Sequence, residues 1–505
     1  MFYFINEFTF PMICVSLGRT RHSAFLKGHQ LLAEQQAELV ELRVDWLRTR
    51  PDIGRLLKDR PTPVVVTCRR KEDRGLWRGT EEQRLATLRE AIVSGAEYVD
   101  VEVDVAKQVS RYGDTKRIVS YHNFDNTPVE LFDIYEKMKD CDADVIKLIT
   151  MANSPSDNVR ILELLETAKV PTVAFCMGEF GTLSRLLCGR YGAPFTYAGF
   201  SRERELAPGQ LTLTDVRNLY GYNRITKSTR VFGVIGDPIA HSLSPVLHNA
   251  AFRKTEFDGV YLPLRIPAEL LDETLQEFNK LNVEGYSVTI PHKEAALNLA
   301  DAPDVKSDEV GAANTLFRTD GQWNATNTDY DAIVQTVLEG LGSDGDEPAD
   351  LDNKRVLILG AGGVARAAAQ AMLDQGASVV VTNRTRKRSK TLATEMDCKF
   401  LEWSNRGAEV CDVLINCTSV GMHPNLDDSP YEEHWLRQEM LVFDTVYTPE
   451  NTLLLKQARE RGCRTVSGIQ MFVGQAAKQF ELFTNQEAPL AYMEETLRRY
   501  LAISG

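Results

Sequence analysis

The sequence predicts an α/β chain, with a (β/α)8 TIM barrel ahead of a second α/β unit that includes a Rossmann nucleotide domain. Three observations predict this. Eight short apolar runs alternate with amphipathic segments between residues 12 and 220, the rhythm of strands joined by helical crossovers. A second α/β rhythm starts near residue 231. Within it, RVLILG runs straight into a glycine turn and a helical pattern at 355–372, the order that cradles a pyrophosphate.

The eight runs are MICVSL (12–17), LVELRVDWL (39–47), PVVVTCR (63–69), EYVDVEV (97–103), RIVSYH (117–122), DVIKLITM (144–151), PTVAFCM (171–177) and FTYAGF (195–200). Patterns such as EEQRLATLREAIVSGA and SDNVRILELLETAKV separate them with helical spacing. An open α/β sheet is the alternative for the same rhythm. LYGYNRITKSTR (219–230) has no hydrophobic period and reads as a linker, and the acidic GSDGDEPADLDN (342–353) reads as a surface connection. The expected domains are therefore 12–220, 231–340 completed by helices at about 475–505, and 350–470.

A chain of 505 residues is too long for one core. Its 43% hydrophobic and 26% charged residues are ordinary for a globular protein. A net charge of -13 disfavours nucleic acid and acidic membranes as partners. Small molecules are the expected partners, with the chain a monomer or weak homo-oligomer. The nine cysteines include no CxxC pair, so reduced core thiols in the cytoplasm are expected, and no metal site. The first 12 residues lack a basic leader and a cleavage motif, and no apolar run approaches membrane-spanning length.

Lys147 lies in Val-Ile-Lys-Leu-Ile, sharing one strand face with Val145 and Ile149. A poorly solvated amine there has a lowered pKa and suits imine formation with a ketone. The other reading of the lysine alone is a packed stem with a snorkelling head. Glu41 and Arg43 project together from the second run, His122 ends the fifth, and Arg185 follows the seventh. Barrel sites gather residues from the C-terminal ends of several strands. An acid, an amine, an imidazole and guanidinium groups around one cavity suit a ketone bearing a carboxylate.

ELRVD, SYHNF, VIKL, MGxxGxxSR and APGQ, in this order, resemble type I 3-dehydroquinate dehydratase over about 12–220. That resemblance implies an imine on Lys147, with His122 as general acid and base and Glu82 as the acid orienting it. It further implies that Glu41 and Arg43 hold substrate hydroxyls, Arg185 clamps the carboxylate and Gln210 belongs to a closing loop. Many relatives carry serine where Leu206 stands here.

In the second half, Gly360, Ala361, Gly362, Gly363, Val364 and Ala365 form the glycine turn and the start of its helix. No acid follows the next strand. Asn383, Arg384 and Thr385 stand there, then Arg386, Lys387 and Arg388, which suits a ribose 2′-phosphate and predicts NADP. GDPIAHSLSPVLHNAAF, GYSVTIPHKEAA, GAANTLF and NTDYDA offer Ser242, Ser244, Thr289, Asn314 and Asp329 for a polyhydroxylated ring, with Lys293 as an acid beside them. Serines before proline also make ordinary turns, and NTD an ordinary helix cap.

Together with LINCTSVGMHP, VFDTVYTPENTLLL and SGIQMFVGQAAKQF, these segments resemble shikimate dehydrogenase from about 231 onward. The resemblance implies Lys293 and Asp329 as the catalytic pair and Ser242 and Ser244 at the substrate carboxylate. Thr289, Asn314 and Gln475 would contact ring hydroxyls, with Tyr447 at the substrate mouth. Thr418, Val446, Gly468 and Met471 would border the nicotinamide. Tyr330 departs from the glycine of many relatives and is expected to reshape the cleft. A quinate-type dehydrogenase is the alternative. The two resemblances support each other, because the first reaction's product, 3-dehydroshikimate, is the second's substrate.

Overall fold

The computed structural model describes residues 11–200, 210–342 and 349–504. Leu206 and residues 1–10 lie outside them. By their contacts the residues form two compact units, Met1–Val231 with Asp258–Val283, and Phe232–Phe257 with Glu284–Gly505.

In the first unit, β1 (Met12–Leu17), β2 (Leu39–Arg43), β3 (Val64–Thr67), β4 (Tyr98–Glu102), β5 (Lys116–His122), β6 (Val145–Met151), β7 (Thr172–Met177) and β8 (Phe195–Gly199) form one parallel sheet. Its order, β7-β6-β5-β4-β3-β2-β1-β8, makes a nearly closed barrel. β2 is shorter than its apolar run, because Val44–Trp46 turns into a 3-10 helix. There the Asp45 carboxylate accepts from Arg43 and from the Leu76 amide.

Alternation sorts the interior. Leu39, Val65, Ile118, Val145, Val173 and Phe195 belong to a buried apolar cluster. Towards the C-terminal ends of the strands the same faces carry Glu41, Thr67, Asp100, Ser120 and Lys147, all buried. This polar layer is where barrel sites form.

The first unit also takes in β10 (Gly259–Arg265), beyond the boundary expected near 220. Arg265 pairs with Glu179 and its guanidinium lies 5.3 Å from the Phe180 ring centre. Arg190 donates to the Leu281 carbonyl at 2.9 Å.

In the second unit β9 (Arg230–Gly236), β11 (Val283–Val288), β13 (Thr315–Thr319), β14 (Gln322–Thr326) and the two-residue β12 (Ala302–Pro303) lie side by side in that order. The helix Gly468–Thr484 docks here. Its buried Gln479 donates to the Asn314 carbonyl and accepts from Ser287, and Phe483 stacks on Phe232 at 5.2 Å.

A separate parallel sheet runs β17 (Lys399–Leu401), β16 (Ser378–Thr382), β15 (Arg355–Leu359), β18 (Val413–Asn416), β19 (Leu441–Asp444) and β20 (Arg464–Val466). Chain order reverses between β15 and β18, the switch point where doubly wound sheets take ligands. Among the described residues no helix is long and apolar enough to cross a membrane.

Candidate active sites

A cavity of about 110 Å³ opens at the barrel's polar layer, lined among others by Glu41, Arg43, His122, Lys147, Arg185 and Gln210. Register explains the gathering. Ser120 pairs with Lys147 and His122 with Ile149 across neighbouring strands, so His122 stands one pleat nearer the rim. Lys147 Nζ donates to Asp100 Oδ2 at 3.0 Å and Glu41 Oε1 at 3.4 Å. Glu41 also accepts from Ser16 (2.7 Å) and Thr67 (2.9 Å). Arg69 pairs with Asp100 at 2.9 Å and Glu102 at 2.8 Å, and Glu102 accepts from the fully buried Arg84 at 2.7 Å.

Burial alone would raise both Glu41 and Asp100. The Lys147 ammonium and Arg43 overcome this at Glu41, and Arg69 and Lys147 overcome it at Asp100, holding both carboxyls below the usual carboxylate range. His122 goes the other way. Burial first, then the Arg69 and Lys147 cations, hold its imidazole well below the usual histidine value, and Nδ1 is buried without a hydrogen-bond partner. The pocket thus sets a neutral imidazole beside an amine flanked by two carboxylates, suited to moving protons during imine chemistry.

In the second unit, Lys293 Nζ donates to Asp329 Oδ2 at 2.6 Å, with both side chains largely buried. Lys293 begins one helix (Lys293–Leu299) and Asp329 lies in the first turn of another (Thr328–Leu341). Asn314 is anchored beside them, accepting from the Thr328 amide at 2.8 Å and donating to its hydroxyl at 3.0 Å. The glycine turn meets this pair directly: a Cβ on Gly363 would lie 3.0 Å from Lys293 Cδ.

Gly360 has φ +125° and no room for a Cβ against the Cys417 carbonyl, while a Cβ on Gly362 would meet nothing within 4 Å. The helix Gly363–Asp374 starts here, so its amide end faces open space that a pyrophosphate fits. Ala365 is fully buried and Val364 packs partly buried in the same core cluster as Met471, giving Met471 a packing role. Asn383 is half-buried, while Arg384, Thr385, Lys387 and Arg388 are exposed and Arg386 pairs with Glu402 at 2.6 Å.

Thr418 is held by the buried Asn416, which accepts from both its amide and its hydroxyl. Asn416 donates in turn to Asp444, as do Thr452 and the Val446 amide. Gly468 allows the helix Gly468–Thr484 to start against the Thr445 carbonyl, 2.4 Å from where a Cβ would be. Tyr447 stacks on Phe472 at 4.2 Å, and Gln475 donates to the Phe472 carbonyl. Ser242 and Ser244 sit at the start of the helix Ser244–Lys254, and Thr289 follows β11, its amide on the Ile235 carbonyl. Among the described residues no hydrogen bond joins these three to Lys293 or Asp329.

Asp444 yields a stability prediction. Burial pushes its carboxyl up to about 6, above an unfolded value of about 3.9. The folded state therefore favours the neutral acid, and that contribution is lost as pH rises from about 4 through about 6. Asp444→Asn, neutral throughout, should gain stability relative to the parent by up to ~3 kcal/mol above that window and lose this advantage in acid. Thermal unfolding of both proteins at pH 5 and pH 8 checks the difference; a gap that does not change between them refutes it.

Comparisons with known proteins agree with this layout. The type I 3-dehydroquinase family model matches residues 13–227. The shikimate dehydrogenase substrate binding domain matches 234–316, the shikimate / quinate 5-dehydrogenase model 345–450, and the shikimate 5'-dehydrogenase C-terminal domain 468–498. The chloroplastic bifunctional 3-dehydroquinate dehydratase/shikimate dehydrogenase of Arabidopsis thaliana is 39% identical over 94% of this chain and 81% of its own. This chain belongs to the bifunctional 3-dehydroquinate dehydratase/shikimate dehydrogenase family.

Relatives named for the dehydrogenase alone match about half of this chain. The NADP(+) shikimate dehydrogenase of Methanothermobacter thermautotrophicus is 39% identical over 55% of this chain and 99% of its own. A crystal structure of a shikimate dehydrogenase in complex with NADP+ aligns with TM-score 0.51 at 30% identity, covering 55% of this chain and 96% of that one.

Four expectations are corrected within this family frame. Glu82 does not orient His122: it is exposed on the helix Glu81–Val93 and does not line the cavity. The carboxylate that acts on His122 is Asp100, and Asp73 lines the cavity as well. Lys147 is not surrounded by apolar groups alone, since two carboxylates reach it. Arg43 is already engaged in a two-pronged pair with Asp45 at 2.9 Å. Tyr330 turns to donate to Asp374 at 2.8 Å and borders a separate depression of about 490 Å³ with Lys306 and Gln375.

Ser16, Arg69, Arg74, Phe124 and Tyr197 also line the barrel cavity and were missed, as was Asp100 behind them. The alternation VDVEV, with Asp100 and Glu102 sharing a face, carried the signal for Asp100.

Proposed function

We propose that this chain dehydrates 3-dehydroquinate to 3-dehydroshikimate in the barrel and reduces 3-dehydroshikimate to shikimate with NADPH in the second unit. The observation that carries the reading is a pair of lysine-centred sites, Lys147 with Glu41 and Asp100 and Lys293 with Asp329, in a chain of this family.

In the barrel, neutral His122 takes a proton from the Lys147 ammonium so that the amine can attack the ketone carbon, then returns it to the carbinolamine hydroxyl, which leaves as water to give a cationic imine. Neutral again, His122 removes the proton α to the imine and delivers it to the β-hydroxyl, which the enamine expels as water, and hydrolysis of the imine returns the amine. Arg185, buried beside the Phe175 ring at 4.2 Å, is the clamp we assign to the substrate carboxylate, and Gln210 is assigned to the closing loop.

In the second unit, bound NADPH supplies the hydride. Lys293, polarised by Asp329, delivers the proton to the carbonyl oxygen. Ser242, Ser244, Thr289, Asn314, Tyr447 and Gln475 are assigned to the substrate, and the loops at Thr418, Val446 and Gly468 to the nicotinamide. Arg384 and Arg388 pair with no carboxylate among the described residues, which supports a 2′-phosphate partner. Each site is built by one chain, so a monomer or weak homo-oligomer suffices. Nine cysteines, none of them in a disulfide, support a cytoplasmic setting.

The test is a coupled assay. Purified chain supplied with 3-dehydroquinate and NADPH should oxidise the cofactor, and NADH should serve poorly. Arg384→Ala should raise the KM for NADPH about 10- to 100-fold, the size of a charge-assisted contact, with little change for NADH. No cofactor oxidation with either 3-dehydroquinate or 3-dehydroshikimate would end this reading.

A further inference from the structure

Lys147 Nζ has a third neighbour besides its two carboxylates. The centre of the Tyr197 ring lies 4.0 Å from it, well within the range at which an aromatic face attracts a cation. Tyr197 is only 4% exposed, where such contacts gain strength through desolvation.

Two aromatic neighbours flank the ring. Phe195 meets it edge-on at 5.7 Å, and Phe175 lies 6.4 Å away. Its backbone is fixed in register with Cys14, and its carbonyl accepts from Arg185 at 3.3 Å. The Tyr197 hydroxyl is directed to the Cys14 thiol. What Tyr197 presents to the lysine is its π face.

The charge on Nζ changes repeatedly during imine chemistry. The ammonium loses a proton, the imine restores a positive nitrogen, the enamine removes it, and expulsion of water restores it again. Glu41 and Asp100 balance the positive states as buried carboxylates. An aromatic face attracts the cation and cannot accept its proton.

We propose that Tyr197 is a positioning residue of the dehydratase, its ring stabilising the cationic nitrogen of Lys147 without competing for the proton. The inference rests on Lys147 as the imine-forming residue.

The experiment traps the imine in the full-length protein with borohydride and 3-dehydroquinate, followed by peptide mass mapping across a pH series. Tyr197→Phe keeps the ring, while Tyr197→Leu and Tyr197→Met remove it. Two ringless variants are made so that one remains if the other does not fold, with shikimate oxidation by the second unit reporting the integrity of the preparation.

The expected result is near-parental trapping and dehydration for Tyr197→Phe and a loss of about 5- to 30-fold for the ringless variants, the size of a desolvated cation–π contact. Their trapping profile should also move to lower pH, because the ammonium has lost a stabilising neighbour. A series of ring-fluorinated phenylalanines at position 197 should lower the rate stepwise as the π face weakens, a response that packing alone would not give.

Ringless variants with parental rate and pH profile overturn the inference while leaving Lys147 in place. Equal loss in Tyr197→Phe overturns it by assigning the effect to the hydroxyl. A parent protein with no adduct on Lys147 overturns both.

Discussion

Lys147→Met should abolish 3-dehydroquinate dehydration, by on the order of 10^4- to 10^6-fold as expected for loss of a covalent nucleophile, and leave shikimate oxidation at the parental rate. Among the described residues no other lysine lines the barrel cavity, so borohydride should leave no adduct. The variant also removes the cation shared by Glu41 and Asp100, 3.4 and 3.0 Å away. Burial would raise those carboxyls in the parent, but Lys147 together with Arg43 or Arg69 outweighs it and holds them low. A depressed carboxyl contributes stability above its unfolded value and loses it as pH falls through the folded value. The destabilisation should therefore be largest near neutrality, about 3–5 kcal/mol for a broken buried pair, and shrink in acid. Mass mapping and thermal unfolding across pH report the two effects separately. Residual dehydration above a thousandth of the parent would contradict the assignment.

Lys293→Ala should lower shikimate turnover about 10²- to 10⁴-fold, the range for a lost general acid, while NADP binding stays nearly unchanged. The cofactor contacts we assign sit on the glycine turn and on Arg384 and Arg388, and truncating Lys293 only opens space beside Gly363. Asp329 would then lose its one ion-pair partner among the described residues, so Lys293→Met, which keeps the packing of the stem, is the better control for shape. Fluorescence titration with NADPH and steady-state rates measure binding and chemistry apart. An equal loss in both would mean that Lys293 holds the cofactor instead.

The barrel was legible because its strands carry their own signal. A run such as VIKLI forces Lys147 inward with Val145 and Ile149, and neighbouring runs do the same for Glu41 and His122. Partners that bind one another rather than substrate were harder to read. The alternation in β4 puts Asp100 and Glu102 on one face, but only the packing that brings Asp100 to Lys147 and Glu102 to Arg69 and Arg84 reveals their task. Glu82 was misjudged because it was placed by linear motif. It falls in the first turn of a helix, where an acid suits the helix dipole as well as any catalytic role, and the helix turns it to solvent. In the second unit RVLILGAGG and NTD announced the turn and the pair, yet the two-residue β12 and the attachment of 258–283 to the first unit come from tertiary packing with no local pattern.

The close approach of Gly363 to Lys293 has a bearing on redesign. In the reading proposed above, cofactor preference is assigned to the stretch after β16, whereas proton delivery is assigned to Lys293, outside the nucleotide sheet. The cationic stretch after β16 is exposed, and its residues can be exchanged to favour NADH without disturbing the reacting lysine. Position 363 offers no such freedom, since any larger residue would push on the Lys293 stem. A library aimed at new cofactors should therefore randomise 384–388 and hold 363 as glycine.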